Sequence, residues 1–165
     1  MNYKKKYLNK ETISWAFYDW ANSAFATTVM AGFFPIFFKS FWAGDLSGPE
    51  SSAWLGTANS ISGLVIVSIA PFLGALADIT NKKKLFLSIF AFLGIISTGS
   101  FLFIAQGMWV TAMSIYILAC IGFSGGNVFY DSLIINVSSD ENRNRVSALG
   151  YALGYLGGGF LFVLN

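Results

Sequence analysis

The chain has 165 residues, 55% of them hydrophobic and only 11% charged, with a formal net charge of +2 and a mean hydropathy of +0.62. A soluble domain carries about 25% charged residues, so this composition excludes a globule that covers its surface with polar groups. The small positive balance forms no separate basic surface for nucleic acid, and the lack of histidine removes imidazole ligands, imidazole proton relays and Ser–His catalysis.

The predicted fold class is all-α, a polytopic membrane helix bundle. A helix needs about 20 apolar residues to cross roughly 30 Å of hydrocarbon, so about five spans fill residues 1–165. The first is expected at residues 13–41. A secretory signal is rejected for it, because the apolar stretch behind Lys4, Lys5 and Lys6 is too long and is interrupted by Asp19 and Asn22. A polar segment at 44–52 follows, with Asp45, Gly48, Pro49 and Glu50 as turn formers. The second span is expected at 54–77, the third at 85–105 and, after a tight turn at Gln106-Gly107, the fourth at 108–137. A charged loop at 138–145 precedes the fifth, at 146–165. Cys120, the single cysteine, lies in an apolar run and reads as a small buried hydrophobe. No internal repeat stands out.

Charge sets the expected orientation. Lys4, Lys5, Lys6, Lys10, Lys82, Lys83, Lys84, Arg143 and Arg145 fall on one side of five alternating helices, and only Lys39 falls on the other. The positive-inside rule then makes the N-terminus cytoplasmic. Trp15 and Trp20 at one face, with Trp42 and Trp54 at the other, suit interfacial belts. The last span has no polar tail behind it, which suggests the front part of a longer membrane protein.

Two spans carry acids on polar faces. Asp19, Asn22, Ser23, Ala26 and Thr27 follow i, i+3, i+4, i+7, i+8 spacing on one helical face. An acid inside a membrane span costs a few kcal/mol or more unless it faces protein or water. The face therefore lines a cavity or a helix contact, unless Asp19 sits shallow among the headgroups. In the fourth span Ser124, Asn127, Tyr130 and Asp131 share a face, and alternation puts Asp131 at a depth similar to Asp19. The candidate substrate or proton pathway is thus Asp19, Asn22, Asn127 and Asp131, or else these residues hydrogen-bond neighbouring helices.

Asp78 ends the second span, where the helix dipole disfavours an acid by roughly 0.3–1 kcal/mol. A cation or another helix's N-terminus should compensate it, or else it is a solvated loop acid. Gly150, Gly154 and Gly158 recur every four residues in the fifth span, a stripe that lets two helices approach closely. Gly122-Phe123-Ser124-Gly125-Gly126 matches Gly-x-Ser-x-Gly, but it lies within a span and no histidine is present to act as base. The run reads as a helix-packing feature, and no enzyme activity, metal or cofactor is expected.

Gly74-Ala75-Leu76-Ala77-Asp78 followed by Lys82, Lys83 and Lys84 resembles the loop between the second and third helices of the major facilitator superfamily. The resemblance implies that Gly74 permits close packing and that Asp78 locks a closed cytoplasmic gate. Ile79 and Asn81 stand where that motif has a basic residue and a glycine. The run Ser14-Trp15-Ala16-Phe17-Tyr18-Asp19-Trp20-Ala21-Asn22-Ser23-Ala24-Phe25 is similar to the opening of one branch of the superfamily, bacterial permeases related to the fungal vacuolar amino-acid effluxers of autophagy. Phe33-Phe34-Pro35, Phe129-Tyr130-Asp131-Ser132-Leu133 and the Leu149–Gly159 glycine run continue the likeness along the chain.

This resemblance implies alternating-access transport of a small solute, with amino acids as the substrate class. It also implies a missing C-terminal helical bundle as partner and the bacterial inner membrane as location. The usual fourth-span arginine of proton-coupled members has no counterpart, and Tyr155 replaces the proline of the fifth-helix antiporter motif. The competing reading is a small five-helix scaffold or assembly protein that self-associates through the fifth-span glycines.

Overall fold

The computed structural model describes residues 8–164, so Lys4, Lys5, Lys6 and Asn165 lie outside the described residues. Five helices are long and apolar enough to cross a membrane: α1 (Lys10–Trp42), α2 (Gly48–Thr80), α3 (Lys83–Phe103), α4 (Trp109–Val137) and α5 (Arg143–Leu164). There is no strand among the described residues. Side chains such as Leu102 and Phe103, 87% and 88% exposed, cover the outside. That surface suits lipid rather than water, and helices satisfy their own backbone groups there. The chain is an integral, multi-pass membrane protein.

Local chemistry sets the helix ends. Asn9 caps α1, its side chain accepting from the Thr12 amide at 2.8 Å. α2 begins at Gly48, within the segment 44–52 that the sequence reading gives to a loop. The reason is a capping box: Ser47 accepts from the Glu50 amide, the Glu50 carboxylate accepts from the Ser47 amide at 2.9 Å, and Pro49 fits the first turn. Gly107 adopts φ +81 in the turn before α4, a conformation that glycine reaches without a Cβ penalty.

α1 is not a uniform α-helix. It widens to i→i+5 hydrogen bonding over Phe25–Phe33 and again over Phe38–Trp42. Pro35, in the short α turn between, has no amide to donate, and its ring crowds the carbonyl four residues back. A widened turn next to proline relieves that crowding.

The chain divides into two compact units. The first holds the described part of 1–32 together with 130–164. Within it, α1 and α5 pack closely and run parallel. Trp15 lies over Gly150, Asp19 and Ser23 over Gly154, and Thr27 over Gly158. A Cβ added at Gly154 would sit 2.7 Å from Ser23 Oγ and 2.8 Å from Asp19 Oδ2. Thr27 Oγ1 lies 3.1 Å from the Gly158 carbonyl oxygen and 3.1 Å from that of Ser23. The end of α4 joins the start of α1: Thr12 Oγ1 donates to the Val137 carbonyl at 3.1 Å, and Trp15 Nε1 to the Tyr130 carbonyl at 3.0 Å. The starts of α1 and α5 and the end of α4 therefore share one end of this unit.

The second unit, 33–129, is held by ring packing and backbone approach. Phe34 stacks on Tyr116 at 4.0 Å and meets Phe101 and Trp42. Gly122 presses on the backbone of Gly94, and the Phe90 ring covers Gly125. These glycines of the Gly-x-Ser-x-Gly run let α3 and α4 touch. Ser62 Oγ donates to the Ala58 carbonyl at 2.8 Å and lies 3.3 Å from that of Ile117.

The tryptophan belt expectation needs correction. Trp15 and Trp42 are 8% and 4% exposed, and their ring N–H groups donate to the Tyr130 and Ile104 carbonyls. Buried indoles need such partners, so these two rings are structural. Trp54, 43% exposed, pairs with Trp109 at 5.2 Å.

Two glycines of α5, two residues apart, separate packing from propensity. A Cβ at Gly157 meets the Trp20 carbonyl and ring, whereas one at Gly159 meets nothing within 4 Å. Gly157→Ala should cost about 1–3 kcal/mol through overpacking. Gly159→Ala should be neutral or gain up to about 1 kcal/mol of helix propensity. Thermal unfolding of the detergent-purified variants should rank them in that order.

Candidate functional site

Asp19 is half-buried on α1 and accepts a long hydrogen bond from Ser23 Oγ, 3.4 Å away. Asp131 lies near the end of α4 and is exposed. Next to both in sequence is a stack of three rings. Tyr130 is sandwiched by Trp15, 4.4 Å away and 9° from parallel, and by Tyr18, 5.2 Å away. Tyr18 precedes Asp19 and Tyr130 precedes Asp131, so the stack brings two Tyr-Asp pairs together. The two carboxylates are close enough for Asp131's charge to act on Asp19, and both act on the Tyr130 hydroxyl. Neither carboxylate has a basic side chain within ion-pair distance among the described residues.

The polar face of α1 is a helix contact. Asp19, Ser23 and Thr27 rest on the same glycines that form the α5 stripe. Gly150, Gly154 and Gly158 are buried against α1 inside this chain, which leaves that stripe covered. Asn22 is half-buried on α1; Asn127, also half-buried, belongs to the second unit. No group of three or more His, Cys, Asp or Glu side chains suited to a metal occurs among the described residues.

The ring stack escapes the periodicity argument, which picks out polar faces. The signal available was the repeated Tyr-Asp dipeptide, once in the first span and once in the fourth.

The α2–α3 corner is the second candidate. Asp78 pairs with Lys83, Nζ to Oδ1 2.8 Å, with the acid largely exposed. Lys83 opens α3, a helix N-terminus where a cation is as badly placed as the acid is at the α2 C-terminus. Each charge offsets the other's unfavourable dipole, although so exposed a pair contributes only about 0–1 kcal/mol. Lys82 and Lys84 are exposed. Asn81 takes the left-handed conformation, φ 54 and ψ 33, and closes α2 with its amide on the Asp78 carbonyl at 3.2 Å. Asparagine is among the few residues that visit this region routinely, so it does here what glycine does in the usual motif. A Cβ at Gly74 would meet nothing within 4 Å, so no helix among the described residues presses on it.

The described residues thus combine five apolar, membrane-length helices with an acid in two of them and a charged corner between α2 and α3. The family model described as "Vacuole effluxer Atg22 like" matches residues 50–135. The chain belongs to this family, a branch of the major facilitator superfamily. It is 38% identical over 161 residues to YxiO of Bacillus subtilis (strain 168), described as an uncharacterized MFS-type transporter; the match takes in 97% of this chain and 38% of that protein. It is also 27% identical over 147 residues to an uncharacterized protein of Aquifex aeolicus (strain VF5), covering 89% of this chain and 36% of the relative. The chain thus spans little more than a third of the length of these relatives. No solved structure matches it.

The corner makes its own prediction. Asn81→Gly should leave the stability of the detergent-purified protein unchanged or slightly higher. Asn81→Ala forces a Cβ without a compensating side-chain bond into the left-handed region and should cost about 1–2 kcal/mol. Equal unfolding temperatures for the two variants would contradict the αL assignment.

Proposed function

We propose that this chain forms most of one helical bundle of a small-solute permease that works by alternating access, rocking against a second bundle supplied outside these residues. The observation that carries this reading is the pair of Tyr-Asp sites, carboxylates inside two membrane-spanning helices with no basic partner among the described residues. Intramembrane acids are expensive, and function is their default explanation. Membership of a family described by its effluxer supports transport, and the resemblance of the first span points to amino acids as substrates.

In this reading Asp19 and Asp131, with Asn22 and Asn127, belong to the substrate or ion pathway. Asp78 and the lysines behind it belong to the cytoplasmic gate. The N-terminus and the loops at 81–84 and 138–145 face the cytoplasm of a bacterial inner membrane. Clustering of Lys10, Arg143 and Arg145 at the shared end of the first unit supports that sidedness. The scaffold reading is disfavoured, since the glycines it needs are covered by α1.

Two measurements test the proposal. In proteoliposomes of the full-length permease, Asp19→Asn and Asp131→Asn should each reduce amino-acid uptake about tenfold or more at unchanged protein level. Normal transport by both variants would make the acids structural. Topology is read with an impermeant thiol reagent in a Cys120→Ala background. Lys83→Cys should be labelled only after the membrane is opened, and labelling from outside intact cells would reverse the orientation.

A further inference from the structure

The occupant of the two Tyr-Asp sites can be narrowed by charge and by hydrogen-bonding capacity. In the first unit the charged residues among those described are Lys10, Glu11, Asp19, Asp131, Asp140, Glu141, Arg143 and Arg145. All but Asp19 and Asp131 sit at the end where α1 and α5 begin and α4 finishes. Asp140 and Arg143 pair with one another there. Asp19 lies nine residues into α1, roughly 13 Å along the helix axis at 1.5 Å per residue. Among the described residues of this unit, Asp19 is thus a half-buried acid set back from that end, Asp131 is an exposed acid near the end of α4, and no basic residue accompanies either.

A second observation is independent of the acids. Tyr130 is 6% exposed, and its hydroxyl oxygen is buried without any hydrogen-bond partner. Leaving such a group unpaired is costly. Trp15 and Tyr18 cover the two faces of its ring, and the hydroxyl points past Gly150, where an added Cβ would come within 2.9 Å of it. The carboxylates whose charge reaches it are Asp19 and Asp131. Glycine at 150 and 154 is what leaves room for the hydroxyl and for the Asp19 carboxylate against α5.

Ionised carboxylates only accept hydrogen bonds, and a tyrosine hydroxyl also accepts. A positive occupant that offers donors or coordinates oxygen satisfies all three. We propose that the Asp19–Tyr130–Asp131 site binds its occupant as a monovalent cation, with both carboxylates supplying the charge and the Tyr130 hydroxyl orienting the ligand. The chemistry is shared by a solute ammonium and by an inorganic coupling cation. The inference rests on the transport reading for its purpose, but its test does not need transport.

The experiment follows thermal unfolding of the detergent-purified full-length protein at constant ionic strength. The probes are n-propylammonium chloride, n-propanol, potassium propionate, and sodium against potassium chloride. Propylammonium should raise the midpoint saturably while propanol and propionate do not. Asp19→Asn and Asp131→Asn should abolish that shift. Tyr130→Phe keeps the ring stack and should weaken apparent affinity roughly tenfold, the size of one lost charge-assisted hydrogen bond. If sodium chloride alone gives the same aspartate-dependent shift, the cation is inorganic and the proposal holds with that source.

Stabilisation by propionate equal to that by propylammonium would overturn it. So would a propylammonium shift that survives in both aspartate variants. If those variants do not fold, Tyr130→Phe decides, and wild-type affinity there overturns the proposal. Proteoliposomes that bind propylammonium through these residues but move no amino acid would overturn the transport reading alone.

Discussion

The parallel contact between α1 and α5 governs the first unit. In lipid there is no hydrophobic force between helices, so close backbone approach and hydrogen bonds must hold them. Glycine at 150, 154, 157 and 158 supplies the approach. The Thr27 hydroxyl beside the Gly158 carbonyl supplies a polar tie, and Trp15 anchors the same helix to the end of α4. The position of Asp19 follows from this packing. Its carboxylate lies where any side chain on Gly154 would have to be, so a larger residue at 154 would displace it.

The same physics recurs in the second unit with different residues. Gly122 against Gly94 and Phe90 over Gly125 bring α3 and α4 together, and the Phe34, Trp42, Phe101 and Tyr116 rings fill the remaining volume. Aromatic pairs add about 0.5–1.5 kcal/mol each beyond the area they bury. That compensates for a setting in which burial of apolar surface drives little. Pro35 and the widened turns around it make α1 the least regular of the five helices. Widened turns of this kind are frequent at functional sites, and the first one takes in Ala26 and Thr27 of the polar face that carries Asp19.

The α2–α3 corner shows how charges that are individually misplaced become acceptable together. An acid at a helix C-terminus and a lysine at the next helix's N-terminus each oppose the local dipole. Placed 2.8 Å apart across a two-residue turn, they neutralise one another. The turn is tight enough because Asn81 accepts a left-handed backbone. With Asp78 largely exposed, such a pair can be broken at small cost.

The all-α membrane class was determined by the sequence itself, because apolar runs of membrane length admit no other economical structure than helices. The superfamily was legible too, in the Gly74–Lys84 corner and in the Tyr-Asp-Trp-Ala-Asn-Ser run. Asp19, Asp131 and the glycine stripe each stood out, since polar and small residues at helical spacing in a span have few uses. That the α1 polar face and the α5 stripe are two sides of one contact was decided only by tertiary structure. Periodicity describes one helix at a time and names no partner. The same limit hid the Trp15–Tyr130–Tyr18 stack and made Trp15 and Trp42 look like interfacial anchors. An indole in a helix end has the same sequence signature whether it meets headgroups or a neighbouring carbonyl, and only the approach of another helix distinguishes the two.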